Sequence, residues 1–328
     1  MAPPRTPAES VAQADPSLAH VGAAPRLFAV VSWGCAATSW LAKALSAHPD
    51  VCCSHLANYY AHRLTGEPRH DGPDYLRILA VEASYYPLAG DVHGITPQGA
   101  REAQALWPDH FQAVAVTRHP IDRLASHLAH TARTRDLPPS AAEPAHWPQL
   151  LQGDAAPTAA EPKAQSPALG ALGIPTSAYG DNPARVLAFA QHAAMLGSIT
   201  DERALGPVFR CEDLTQTPGA LGNLLDTLAQ GTLKGVDAWA EAAVKARPVN
   251  QHRDQTQRVL NWPAWTLDVL RAVVPADAWA AYRSLAYELP HGLFPTSEAV
   301  PRAEIIPVAV AIPGAGAIPG AGGERVAA

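Results

Sequence analysis

The sequence predicts an α/β fold: a parallel sheet covered by helices on both faces, built as one domain over residues 26–294. Three observations predict it. Two short runs, Phe28-Ala29-Val30-Val31 and Ala113-Val114-Ala115-Val116, contain no polar residue, as strands buried on both faces require. Each is followed within a few residues by a segment of helical periodicity. Strands that alternate with helices make βαβ units, whose crossovers leave the strands parallel.

The elements follow in chain order. Residues 1–25, rich in Ala and Pro, read as a disordered leader. The first strand breaks at Ser32-Trp33-Gly34 into a turn of small residues that continues through Cys35, Ala36 and Ala37. Thr38-Ser39-Trp40-Leu41 then opens a helix. Leu41, Ala44, Leu45 and His48 fall at i, i+3, i+4 and i+7, and His48-Pro49 closes it. A tight strand-turn-helix aims several backbone N–H groups and the positive end of a helix dipole at one point, which is a seat for a phosphate or sulfate. The small residues let an anion reach the backbone, and the Thr38 and Ser39 hydroxyls can donate to it.

Asp91-Val92-His93-Gly94 follows a strand break expected at Pro87 to Gly90. The second apolar run ends in Thr117-Arg118-His119-Pro120, where Pro120 stops the strand. Ile121 to His130 reads as a helix carrying Arg123 and Ser126 in its first turns. Arg118 and Ser126 can therefore converge on a second anion, with a forked cation and a hydroxyl. Two such seats predict a ligand with phosphates at both ends.

Residues 134–180 are too rich in proline for a long helix or a central strand. They read as an insertion, either a lid or binding loop near a substrate pocket or a segment without function. Arg185 to Gly197 and Ala220 to Leu233 are amphipathic. Val259 to Leu289 carries Trp262, Trp265, Trp279, Tyr282 and Tyr287, expected to pack C-terminal helices. Residues 295–328 read as a disordered Ala/Gly/Pro tail.

Composition narrows the function. A net charge of −6 gives no basic field for nucleic acid. With only 16% charged residues and no charge run, an anionic ligand must be held by local geometry. The 4 cysteines have no zinc spacing and the 14 histidines include no H-E-x-x-H, so no metal is expected. No apolar run approaches the length of a membrane span and no secretory h-region is present, so a cytoplasmic protein with reduced thiols is expected.

With both seats in view, the chain resembles a divergent, bacterial-type member of the sulfotransferases that use 3′-phosphoadenosine 5′-phosphosulfate (PAPS). Gly34-Cys35-Ala36-Ala37-Thr38-Ser39-Trp40-Leu41 occupies the place of the family's P-[K/R]-S-G-T-T-[W/L]-L, which holds the 5′-phosphosulfate. Val116-Thr117-Arg118-His119-Pro120-Ile121-Asp122-Arg123-Leu124-Ala125-Ser126 follows its V-x-R-[N/D/H]-P-x-D-x-x-x-S. Val208-Phe209-Arg210-Cys211-Glu212-Asp213-Leu214 is similar to the R-Y-E-D-L segment, and Arg247-Pro248-Val249-Asn250-Gln251-His252-Arg253 to R-x-V-N-x-H. The resemblance implies a P-loop-like architecture, PAPS as cosubstrate, and a small-molecule, glycan or lipid acceptor. It implies Gly34 through Trp40 at the 5′ end, Arg118 and Ser126 on the 3′-phosphate, and Arg253 near the cofactor. By placement, His93 resembles the catalytic base of the K-T-H segment, with Asp91 as a second base or as the group that orients it and His55 as a third candidate. A phosphate-transferring P-loop enzyme would need G-x-x-x-x-G-K-[S/T], and the positions right after Ala37 are Thr38-Ser39, without the Lys or a second Gly.

One departure stands out. The family's first-loop Lys or Arg, which meets charge on the departing oxygen, falls on Cys35. A thiol carries no positive charge. Lys43, Arg123 and Arg253 are the candidate replacements, and a nucleotide-binding protein that transfers nothing is the alternative.

Overall fold

The structure, a computed structural model, describes residues 26–33, 36–56, 85–134, 183–246 and 262–289, with positions 75, 79, 137, 169–170 and 173–174 between them. All belong to one unit, Met1–Leu293. The expected leader and tail, most of residues 134–180, and Gly34, Cys35 and Arg253 lie outside the described residues.

Five strands form one sheet: β1 (Arg26–Val31), β2 (Val51–His55), β3 (Leu88–Val92), β4 (Phe111–Thr117) and β5 (Val208–Arg210). Their order is β2-β3-β1-β4-β5 and every pairing is parallel. The helices are α1 (Thr38–Ser46), α2 (Pro97–Leu106), α3 (Pro120–Thr134), α4 (Pro183–Ala193), α5 (Ile199–Arg203), α6 (Cys211–Gln216), α7 (Pro218–Ala229), α8 (Val236–Lys245), α9 (Trp265–Val273) and α10 (Ala276–Ser284). This is the α/β architecture the sequence predicts.

The unbroken apolar runs are the two central strands, and both of their faces are covered. Phe28, Val30, Val114 and Val116 point to one side, where Leu41 and Leu45 of α1, Leu221 and Leu225 of α7 and Trp239 of α8 close over them. Leu27, Ala29, Val31, Ala113 and Ala115 point to the other, against Ala100 and Ala103 of α2, Tyr75 and Leu79. Each fully buried Leu or Phe contributes about 1.5–3 kcal/mol. Trp239 adds a bond from Nε1–H to the Ala44 carbonyl at 2.9 Å, which fastens α1 to α8. The C-terminal aromatics are core, as expected: Trp279, Tyr282 and Tyr287 are buried, and Trp262 and Trp265 meet Phe189 edge-on.

One expectation is corrected. Pro87 to Gly90 is not a strand break, because β3 runs from Leu88 to Val92 and takes in Gly90 and Asp91. The glycine belongs inside the strand for steric reasons: a Cβ there would lie 2.4 Å from the Phe28 ring.

Topology sets where a ligand can sit. The connection leaving β1 runs toward β2 on one side of the sheet, and the one leaving β4 runs toward β5 on the other. Neighbouring strands whose connections diverge open a crevice at their carboxyl ends. Among the described residues, no helix is long and apolar enough to cross a membrane.

Candidate functional site

Both predicted seats open at that crevice, because β1 and β4 are adjacent and parallel. At the first, Ala37 is the N-cap of α1 and has left-handed backbone angles, φ 54° and ψ 30°. That conformation costs an alanine about 1–2 kcal/mol. The N-cap, an alanine, has no side chain that could bond the first N–H groups of α1. In α2, by contrast, Thr96 Oγ1 accepts from the Gly99 N–H at 3.0 Å and Pro97 fills the first position. The first N–H groups of α1 thus get no bond from their N-cap side chain, in a turn the sequence reads as an anion seat. Ser32 Oγ, at the end of β1, is buried and has no hydrogen-bond partner among the described residues. Ala36 faces the core, Thr38 is buried, Ser39 is exposed, and Trp40 packs partly against the sheet.

The second seat is made by side chains. The Arg118 Nη1 donates to Ser126 Oγ at 2.8 Å, bringing the strand end and the helix together as the spacing predicts. A cluster far away in sequence holds this corner. Glu212 of α6 accepts from the His119 N–H at 2.9 Å and from the Tyr287 hydroxyl at 2.9 Å. The Arg210 guanidinium lies 4.6 Å over the Tyr287 ring, and the His119 Nε2–H donates to the Glu288 carbonyl at 2.7 Å. Burial and then Glu212 raise the Tyr287 pKa, so the phenol stays a donor. The R-Y-E-D-L-like segment therefore braces the turn that carries Arg118.

A buried ion pair joins the two seats. Arg123 of α3 and Glu202 of α5 meet at 2.6 Å with both side chains fully buried. Arg123 also donates to Thr117 Oγ1 and to the Tyr282 hydroxyl, each at 3.2 Å. Glu202 accepts from the Trp33 N–H at 3.3 Å, so one carboxylate serves the loop after β1 and the helix after β4. Burial opposes the charge on Arg123, and Glu202 more than offsets that, so its pKa is raised. Arg123 is thus committed to Glu202, which argues against it as the replacement cation that the resemblance calls for. Lys43 is no better placed, being exposed in the last turn of α1, away from its N-terminus.

The candidate bases stand at the same edge. His93 follows β3 with φ 71°; its N–H donates to the Val30 carbonyl at 2.9 Å and its Nδ1 bonds the Ser32 carbonyl. A carbonyl only accepts, so Nδ1 carries the proton and the neutral ring keeps its lone pair on Nε2. Burial lowers the His93 pKa to about 4. Asp91 is buried in β3, its Oδ2 accepts from Ser54 Oγ at 3.0 Å, and a Cβ on Gly94 would strike its Oδ1. It sits inside the sheet layer, whereas the orienting bond to His93 comes from the Ser32 carbonyl. His55, at the end of β2, lies with its Nε2 3.1 Å from Thr38 Oγ1 and 3.4 Å from Ser39 Oγ, its ring stacked 6.4 Å from that of His93. Beside the second seat, His127 and His192 meet edge-on at 5.0 Å, and burial lowers the His127 pKa to about 3.

Sequence reasoning passed over Glu202 and gave Glu212 and Tyr287 no role in the site. Nothing local marks them, since each acts through a partner tens of residues away. Among the described residues, no group of His, Cys, Asp and Glu could hold a metal ion. No protein-family model matches this chain, and no curated protein matches it.

Proposed function

We propose that the protein is a sulfotransferase that binds PAPS across the two seats and passes its sulfuryl group to a hydroxyl or amine of an acceptor. The observation that carries this is the Arg118–Ser126 pair at the carboxyl end of β4, beside a helix N-terminus after β1 whose N-cap alanine offers no side-chain bond. Adjacent strands lie about 5 Å apart, a separation that one nucleotide with phosphates at both ends can bridge. In this reading Thr38, Ser39 and the first N–H groups of α1 hold the 5′-phosphosulfate, and Arg118 and Ser126 hold the 3′-phosphate.

Transfer would run in line. The acceptor oxygen forms a bond to sulfur as the bond from sulfur to the phosphate oxygen breaks, and adenosine 3′,5′-bisphosphate leaves. The acceptor proton goes to Nε2 of His93, the nitrogen left bare by the tautomer that Ser32 selects. A nearby anion favours the imidazolium, which raises the low pKa of this ring toward working pH once the cosubstrate is bound.

Cys35 supports a second reading, a protein that binds the nucleotide and transfers nothing. Sulfuryl transfer from PAPS to a panel of hydroxyl and amine acceptors, with wild type and Cys35→Lys side by side, separates the two. An active enzyme transfers sulfate as wild type, and Cys35→Lys changes its rate only modestly. A silent wild type with a gain of about 10² or more in Cys35→Lys, the rough worth of one such donor, favours the binding protein.

A further inference from the structure

The missing first-loop cation leaves the first seat with hydroxyls and N–H groups but no charge of its own on the described side chains, and the geometry there points to what supplies it. His55 Nε2 reaches both Thr38 Oγ1 and Ser39 Oγ, the hydroxyls that open α1. We propose that His55 takes up a proton when an anion occupies the N-terminus of α1, and so supplies the positive charge that position 35 lacks. The proposal rests on the reading of this turn as an anion seat.

Hydrogen-bond logic ties the proton to the ligand. A hydroxyl has one proton to give. While Nε2 is bare, a hydroxyl that bonds it must donate to it, and that proton is turned away from the mouth of the helix. Once Nε2 is protonated it becomes the donor, the hydroxyl oxygen accepts, and the hydroxyl proton is released toward the anion. The same step places an imidazolium next to the seat. His55 acts through Thr38 and Ser39 and by its charge, as a positioning residue.

The surroundings hold the ring ready for this. Burial lowers the His55 pKa from 6.5, so the ring is neutral in the empty seat at neutral pH. An anion within contact distance reverses that preference. Among the described residues, the titratable groups on the two elements against it are Lys43 of α1, and Asp91 and, just past its end, His93 of β3. Lys43 is exposed in the last turn of α1, and Asp91 accepts from Ser54. His93 stacks on His55 and stays neutral at lower pH, its value being about 4.

The test is calorimetric titration of wild type and His55→Gln with adenosine 3′,5′-bisphosphate, in buffers of different ionisation enthalpy and from pH 8 to pH 6. Wild type should take up about one proton more than His55→Gln on binding. Its affinity relative to the variant should rise by up to about tenfold per unit as pH falls, then level off. The nucleotide's own phosphates titrate near pH 6 in both proteins and cancel in the ratio. His55→Lys, with a fixed charge, should bind with a pH dependence no steeper than that of His55→Gln, and it decides the matter if His55→Gln does not fold. Equal proton uptake and parallel pH curves in wild type and variant overturn the proposal while leaving nucleotide binding intact. A wild type that does not bind overturns it together with the reading beneath it.

Discussion

The two seats face the same crevice but are built in opposite ways. The second is made of side chains and braced: Arg118 reaches Ser126, and Glu212, Tyr287 and Arg210 fix the turn between them. The first is made of backbone, a left-handed alanine, two hydroxyls and a histidine. A braced cation binds the same way at any physiological pH, since guanidinium does not titrate there. A seat of N–H groups and imidazole is tuned by protons and by the helix dipole. Affinity for the nucleotide should therefore reside at the second seat, and control of the reacting end at the first.

The largest effect should come from breaking what the seats share. Glu202→Ala leaves Arg123 charged and buried without its carboxylate, which typically costs 3–5 kcal/mol. Urea unfolding should show that loss, and nucleotide affinity should fall at both ends together. A loss below about 1 kcal/mol would mean that the pair does not hold the two loops.

Protons should act on both seats at the next level. His93 at the first and His127 beside the second are kept neutral by burial, at about 4 and about 3 against 6.5 when unfolded. Between those values the unfolded chain binds more protons, so stability is full above pH 6.5 and declines as pH falls. The slope is up to about 1.4 kcal/mol per pH unit for each group. His93→Gln and His127→Gln should each flatten the decline by one group's share in denaturant titrations at several pH values. Retention of the full slope in both variants would place the acid sensitivity elsewhere.

The smallest effect is local to the first seat. Ala37→Gly relieves the left-handed strain and should raise stability by about 1 kcal/mol, net of the extra freedom glycine has when unfolded. Thermal unfolding checks it, and a destabilised variant would contradict the strained-turn account.

What the sequence revealed divides along the same line. The strand and helix at the first seat are legible because they are local: an apolar run, a turn of small residues and a periodic helix lie in one stretch from Phe28 to Ser46. The Arg118–Ser126 contact was legible too, since eight positions of strand end and helix fix it. The commitment of Arg123, a candidate replacement cation by sequence, is not legible because its partner Glu202 is 79 positions away and carries no local mark. The brace on Arg118 was hidden for the same reason, with Tyr287 lying 75 positions from Glu212. Gly90 looked like a break because glycine inside a buried strand is explained only by the Phe28 ring across the pair.

In the proposed complex Arg118 and Ser126 grip a 3′-phosphate while the first loop holds the other end. Calorimetry of adenosine 3′,5′-bisphosphate and AMP against wild type and Arg118→Ala tests it most directly. Wild type should prefer the bisphosphate, and Arg118→Ala should lose about 2–4 kcal/mol of its binding and no longer distinguish the two nucleotides. Equal affinity of wild type for both nucleotides, or undiminished bisphosphate binding by Arg118→Ala, would contradict it.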